Sequence, residues 1–265
     1  MLPYITVFGK EIGMYSLMAV IGLLACGAVA AILGKRVNIK FEDILLLMLA
    51  AIAGLFVGGH IVYGITNIDN IIKVVANCGT LGFKKTIDYL GSAFGGMVFY
   101  GGLIGAVIGL YVYTHFAKSL NRREVMNIYA VCIPLFHTFG RIGCFLGGCC
   151  YGKESHWGFI VHGNTLSPEI NDVMRIPIQL IEAGCNLLIF IVVLILFLKG
   201  FERLPLFDVY ILLYAPTRFI LEFFRGDEIR GFLFGISTSQ WISIILLVIV
   251  MIDIIRRTIK SKTAD

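Results

Sequence analysis

The chain has 265 residues, of which 58% are hydrophobic and 15% charged, with a mean hydropathy of +0.89. A soluble protein carries about one quarter charged residues, so this composition describes an integral membrane protein and excludes a soluble enzyme or binding module. The formal charge of +5 is spread over short connections with no basic patch interleaved with aromatics, which argues against a nucleic-acid partner.

Apolar runs fall at about 12–33, 43–65, 94–117, 125–146, 176–198, 207–224 and 238–255. At about 20 residues per crossing, these predict an all-α polytopic fold of seven transmembrane helices. The basic residues sort the connections. Lys35, Arg36 and Lys40 follow the first run, Lys118, Arg122 and Arg123 the third, Lys199 and Arg203 the fifth, and Arg256, Arg257, Lys260 and Lys262 the seventh. Basic connections stay in the cytoplasm, so the N-terminus is expected outside and the C-terminus inside. The start of the chain shows neither a basic n-region nor a small-residue cleavage site, and no removable signal peptide is expected. One transmembrane domain over 1–265 accommodates everything, with an outer amphipathic segment at about 66–93 and a small outer loop region at about 147–175.

In chain order, Tyr15 near the outer end of the first run reads as an interfacial aromatic. Gly58 and Gly59 permit close helix approach beside His60, which is expected to hydrogen-bond rather than act as a base. Ile68, Ile71, Ile72 and Val75 recur at helical spacing, as in an amphipathic helix lying in the interface. In the third run Gly101, Gly105 and Gly109 repeat every four residues, the spacing of a close helix pair, with Tyr100 beside them.

The fourth run carries Arg141 near its end and then dissolves into glycines. A guanidinium at the centre of a membrane helix costs about 2.5 to 3.5 kcal/mol, so one that is retained faces a partner, a cavity or an anion, or else snorkels to the headgroups. The cysteines are Cys26, Cys78, Cys132, Cys144, Cys149, Cys150 and Cys185, an odd number that cannot pair completely. The C-x4-C-C group at Cys144, Cys149 and Cys150 matches neither a zinc ribbon nor a redox C-x-x-C, so neither a metal nor a cofactor is expected.

The fifth run opens with Gln179 and Glu182 three residues apart on one face. In the sixth, Arg218, Glu222 and Arg225 follow i, i+4, i+7, a spacing that pairs arginine with glutamate on one helical side. The predicted topology brings Arg141, Glu182, Arg218 and Glu222 toward the same level. The guanidinium fork suits phosphate, which makes a phosphate-bearing lipid the natural ligand; a purely structural ion-pair network is the alternative.

Y-G-G-L-I-G from Tyr100, G-R-I-G-C-F-L-G-G-C-C-Y-G from Gly140, P-I-Q-L-I-E from Pro177 and R-F-I-L-E-F-F-R from Arg218 together resemble the prolipoprotein diacylglyceryl transferases of bacteria. The resemblance runs from Y-S-L-M at Tyr15 to Q-W-I-S at Gln240. It implies a multi-pass enzyme of the bacterial cytoplasmic membrane. Such an enzyme moves the diacylglyceryl group of phosphatidylglycerol onto the lipobox cysteine of preprolipoprotein signal peptides, releasing glycerol phosphate. The positions matching the family's functional residues are Arg141, Arg218, Tyr15, Gly152, Glu182 and Glu222. Arg141, Arg218, Tyr100, Glu182 and Glu222 are the expected catalytic set. Arg141, Arg218, Tyr15, Gly101, Gly102, Gly143, Gly152 and Gln179 are expected at phosphatidylglycerol.

Three positions depart from the better-known members. Tyr100 stands where they have histidine, Cys144 where they have asparagine, and Cys149 where they have glutamate. Without the histidine, the acceptor thiol, of pKa about 8.5, is expected to ionise beside the two guanidinium groups; Tyr100, Glu182 or His137 are the other possible proton acceptors. Two further functions stay open, a relative with a different acceptor and a non-catalytic lipid-binding or transport protein.

Overall fold

The computed structural model describes residues 3–7, 9–227 and 231–262, and these are mostly helical. A short antiparallel hairpin, β1 (Tyr4–Val7) and β2 (Lys10–Gly13), leads into α1 (Met14–Arg36). Then come α2 (Phe41–Thr66), the short helices α3 (Ile68–Ala76), α4 (Cys78–Leu81) and α5 (Phe83–Ala93), and the long helices α6 (Phe99–Phe116) and α7 (Arg122–Gly147). Strands β3 (Glu154–Ile160) and β4 (Met174–Arg175) form a second antiparallel hairpin before α8 (Ile178–Leu198) and α9 (Leu206–Leu221). A two-residue pair, β5 (Phe232–Leu233) and β6 (Ile236–Ser237), precedes α10 (Thr238–Lys262).

Every apolar run of the sequence is therefore a helix. Among the described residues, five of them, α1, α2, α6, α7 and α8, are long and apolar enough to cross a membrane. The chain is a helical membrane protein, with many large apolar side chains, such as Leu24, Leu49 and Leu188, turned outward as a lipid-facing surface requires.

Two compact units divide the chain, one from Ala31 to Val125 and the other made of the residues up to Ala30 and those from Met126 onward. In the first, α2 and α6 pack backbone to backbone. A β-carbon added at Gly54, Gly58, Gly101, Gly105 or Gly109 would strike main-chain atoms of the facing helix. This is the small-residue seam read from the spacing, and it lets dispersion and weak polar contacts act at close range where no hydrophobic drive exists between lipid-bathed helices. His60 lies with Nδ1 2.7 Å from the Phe94 carbonyl and 2.8 Å from that of Gly96, so it donates to backbone and holds the entry to α6. The segment expected as one amphipathic helix is broken at Asn77 and Gly82 into α3, α4 and α5; Ile68, Ile72 and Val75 are exposed, as an interfacial face would be.

In the other unit, α1 lies along α7. Gly22 sits beneath Phe136 and Phe139, and the Cys26 thiol donates to the Cys132 carbonyl at 3.2 Å. The core runs through Ile128, Ala130 and Val131 of α7, Val193 of α8 and Tyr210 and Ala215 of α9, all nearly sealed from solvent. Asn127 accepts from the Leu206 N–H at 3.1 Å and so ties the start of α9 to α7. Helix α9 packs against both α8 and α10.

At the other end of that bundle the connections knit together through main chain. Lys153 N–H donates to the Phe224 carbonyl, Gly226 N–H to that of Tyr151, and Ile176 N–H to that of Lys153. Gly152 and Arg225 form an antiparallel bridge. Three segments distant in sequence thus meet at residues 151–153.

Candidate functional site

Four charged side chains expected to share one level do meet. Arg141 comes from the last two turns of α7, Glu182 from the second turn of α8 and Arg218 from the last turn of α9; Glu222 follows in a single 3-10 turn, Glu222–Phe224. Arg141 Nη2 is 2.9 Å from Glu182 Oε1. The same oxygen is 3.9 Å from Arg218 Nε, and Arg218 Nη1 is 2.6 Å from Glu222 Oε2. The result is a chain of alternating charge, arginine to glutamate to arginine to glutamate, with Glu182 shared between two guanidinium groups.

Burial separates the two arginines. The Arg218 side chain is 3% exposed and that of Arg141 18%. Arg218 is further fixed by donating from Nη2 to Ser239 Oγ at 3.0 Å. Arg141 is therefore the more accessible of the two guanidinium groups. A cavity of about 660 Å³ opens beside this cluster, lined by Glu222, Arg225, Lys153, Glu154, Arg175 and Gln240 among others. Cations outnumber what one phosphate requires there, although most are paired.

The neighbouring positions are each held by a specific contact. Gln179 is buried and donates from Nε2 to the Cys149 carbonyl at 2.9 Å, which fixes the turn after α7. Gly143 is small because α1 passes over it: a β-carbon there would lie 3.1 Å from Met18 Cβ and 3.2 Å from Tyr15 Cα. Tyr15 is half exposed and lies within electrostatic reach of Arg141. Gly152 is boxed in by the Ile176 backbone, and its neighbour Gly226 by the Gly152 carbonyl, so only residues without a β-carbon fit at that crossing. Arg175 donates to the Gly152 carbonyl at 3.4 Å and to Glu154 at 3.1 Å while stacking on the Tyr151 ring.

Tyr100, Gly101 and Gly102 belong to the other unit, at the start of α6. Gly101 meets Gly58 and Val62 and Gly102 meets Leu55, so both serve the α2–α6 seam. The Tyr100 hydroxyl is buried with no hydrogen-bond partner among the described residues.

Arg225 departs from the helical face expected for it. Helix α9 stops at Leu221, the 3-10 turn rotates the chain, and Arg225 becomes extended backbone bridged to Gly152. Its guanidinium forks onto Asp227, with contacts of 3.1 and 2.7 Å. Burial opposes its charge, but Asp227 more than compensates and holds its pKa above the ordinary arginine value. His137 is buried, with Nδ1 3.4 Å from the Tyr210 hydroxyl and its ring against Tyr214.

Two features escaped the sequence. Ser239 holds Arg218, and the signal available was the polar stripe Ser239 and Ser243, four apart beside Gln240 on an otherwise apolar helix. The second is the gathering of Cys144, Cys149 and Cys150, whose sulfur atoms all lie within 4.8 Å of one another. Hydrogen bonds from the Cys144 and Cys149 thiols lower the pKa of the Cys150 thiol; burial opposes this, and Arg225 and Arg141 reinforce it.

Compared with known proteins, residues 3–256 match the family described as prolipoprotein diacylglyceryl transferase. A phosphatidylglycerol--prolipoprotein diacylglyceryl transferase of Clostridium tetani is 30% identical over 244 residues, covering 91% of this chain and 92% of that one. A second, numbered 2, from Clostridium perfringens is 29% identical over 91% of this chain and 90% of its own. One from Campylobacter curvus is 28% identical over 91% and 88% respectively.

Proposed function

Since this chain belongs to the prolipoprotein diacylglyceryl transferase family, we propose that it transfers the diacylglyceryl group of phosphatidylglycerol to the lipobox cysteine thiol of preprolipoproteins. The observation that carries the proposal is the shared carboxylate of Glu182 between a partly open Arg141 and a sealed Arg218, in a charge network whose last member, Glu222, lines a cavity of about 660 Å³.

The sulfur attacks the glyceryl carbon that bears the phosphate oxygen. A carbon–sulfur bond forms, the carbon–oxygen bond breaks, and its electron pair leaves on glycerol phosphate. Charge therefore grows on the leaving oxygen. Arg141 meets the phosphate and displaces its own contact with Glu182, and Arg218, held by Glu222 and Ser239, supplies a second fixed positive centre as the bond lengthens. Glu182 is the hinge of the exchange: in the resting state it neutralises the pair, and in the complex the phosphate takes its place. Gln179 and Gly152 keep the turn after α7 in register, and Tyr15 and Gly143 border the lipid at α1; Tyr100 offers a buried hydroxyl within the other unit, where Gly101 and Gly102 serve the α2–α6 seam. The acceptor thiol loses its proton to solvent under the influence of the guanidinium groups, which removes the need for a histidine at position 100.

The chain works as one transmembrane domain of seven spans, with α9 and α10 completing the five helices above, the N-terminus outside and the C-terminus cytoplasmic. Its setting is the bacterial cytoplasmic membrane. Lipid enters laterally, and the acceptor arrives from the outer leaflet beside the loop region at about 147–175. No cofactor takes part.

The test is complementation of a bacterial strain depleted of its own diacylglyceryl transferase, with a reporter lipoprotein read by mass. Addition of one diacylglyceryl group to the reporter cysteine is the expected result. A well-inserted chain that leaves the reporter unmodified overturns the proposal and points to a different acceptor, for which the changes at Tyr100, Cys144 and Cys149 would then account.

A further inference from the structure

The end of α7 is built so that three thiols converge. Cys144 lies in its last turn, and its carbonyl accepts from the N–H groups of Gly148 at 2.9 Å and Cys149 at 3.1 Å. Gly148, at φ +80°, turns the chain back on the helix; Cys150 follows at φ +56°, a left-handed conformation that a residue with a β-carbon adopts only at a cost. That cost holds a side chain in place, because the same turn carries the Cys149 and Cys150 sulfurs back over Cys144. All three thiols are free. They form a graded path inward, with Cys149 exposed, Cys150 half-buried and Cys144 buried.

We propose that Cys144, Cys149 and Cys150 bind a thiophilic closed-shell metal cation, of the kind of Cu(I) or Zn(II), through three thiolate sulfurs. Sulfur ligands at about 2.3 Å from such an ion stand about 3.8 Å from one another, so the present spacing needs to contract by an ångström or less. Three-sulfur coordination is native to Cu(I); Zn(II) takes a water as its fourth ligand. Binding releases the thiol protons, and three thiolates leave a net negative site whichever ion is held. The guanidinium groups of Arg141 and Arg225 lie within electrostatic reach to offset it. The spacing C-x4-C-C gave no hint of this site, because it is the reversal at Gly148, and not a linear pattern, that assembles it. An ion there also pins the turn between α7 and Gly152. The site stands on the thiols alone and does not depend on the lipid-transfer reading.

The experiment uses the full chain purified in detergent under reductant, loaded separately with Zn(II) and with Cu(I), and then challenged with a chromophoric chelator. Metal content is read by elemental analysis. The expected result is about one ion per chain that survives a chelator excess, at least a tenfold loss of affinity in C149S, and none retained by C144S/C149S/C150S. The variant C26S/C132S, which removes the other close thiol pair, retains the ion. Should the triple variant fail to fold, protection of Cys149 and Cys150 of the unaltered chain from maleimide, read by peptide mass, decides the matter. Four results overturn the proposal: a folded chain that retains no ion, equal retention by the triple variant, unchanged maleimide labelling on loading, or a disulfide among the three cysteines in protein taken from cells.

Discussion

Replacing Glu182 by methionine removes the negative charge that two guanidinium groups share. At an effective dielectric of about 20, a charge 2.9 Å from Arg141 and 3.9 Å from Arg218 is worth about 6 and about 4 kcal/mol of attraction respectively, before the cost of desolvation is set against it. Arg218 keeps Glu222 at 2.6 Å, so the loss falls mainly on Arg141, which is partly exposed and can turn to water. The net cost expected for E182M is therefore at the low end of the range for breaking a buried pair, about 3 kcal/mol. Thermal unfolding in detergent checks it. The decisive comparison is the double variant R141M/E182M, which removes both charges and leaves the Arg218–Glu222 pair intact. A buried ion pair exchanged for apolar side chains of similar size is close to neutral for stability, so the double variant should regain most of the loss. Turnover should not return, because the phosphate has lost its first partner; a fall of at least 100-fold in reporter lipidation is expected. A double variant that lipidates the reporter at the rate of the unaltered chain refutes the assignment of Arg141 to the phosphate, and an E182M variant as stable as the parent refutes the shared-carboxylate energetics.

Other outcomes follow from the same geometry. R218K keeps the charge but cannot reach Glu182, Glu222 and Ser239 together from a single ammonium, and should lose about 100-fold in turnover with the chain still folded, by lipidation assay and thermal unfolding. G152A forces a methyl group into the Ile176 backbone and should destabilise by about 1 to 3 kcal/mol and reduce activity in parallel. G105L wedges α2 and α6 apart along their whole seam, and a large fall in thermal stability, or failure to accumulate in membranes, is expected. With the acceptor thiol ionising without a protein base, kcat/KM should rise about tenfold per pH unit below the thiol's pKa and then level off; a bell centred near pH 6 would instead implicate a histidine.

Much of this site was legible before any coordinates. The i, i+4 spacing of Arg218 and Glu222 sets them on adjacent turns of one face, and the two ions are in contact. Arg141 and Glu182 were legible only as residues at similar depth, since which helix lies beside which is not written in hydropathy. Arg225 was misplaced on the helical face because nothing in R-F-I-L-E-F-F-R announces that the last turn tightens to 3-10 and lets the chain go. The glycine seam is plain from its four-residue period and from Gly58, whereas its other partner, Gly54, stands out less in a helix already rich in small residues. The apolar spacing of Ile68, Ile71, Ile72 and Val75 matches α3, and the breaks that follow it fall at Asn77 and Gly82. The thiol cluster depends on left-handed backbone at Gly148 and Cys150, a matter of dihedral angles and not of pattern.

The backbone junction at residues 151–153 bears on how the protein is made. Its hydrogen bonds go to Ile176, at the threshold of α8, and to Phe224 and Gly226, beyond α9. While the ribosome is still building the chain, the strand after α7 has emerged but has nothing to pair with, and its polar groups must stay hydrated. The junction beside Glu222 is thus completed only after α8 and α9 have been synthesised. A nascent chain arrested before residue 224 should already hold α1 against α7 and yet remain open to protease at Gly152, whereas a chain released a few residues later should close. Competence in this protein is acquired late in synthesis and in one step.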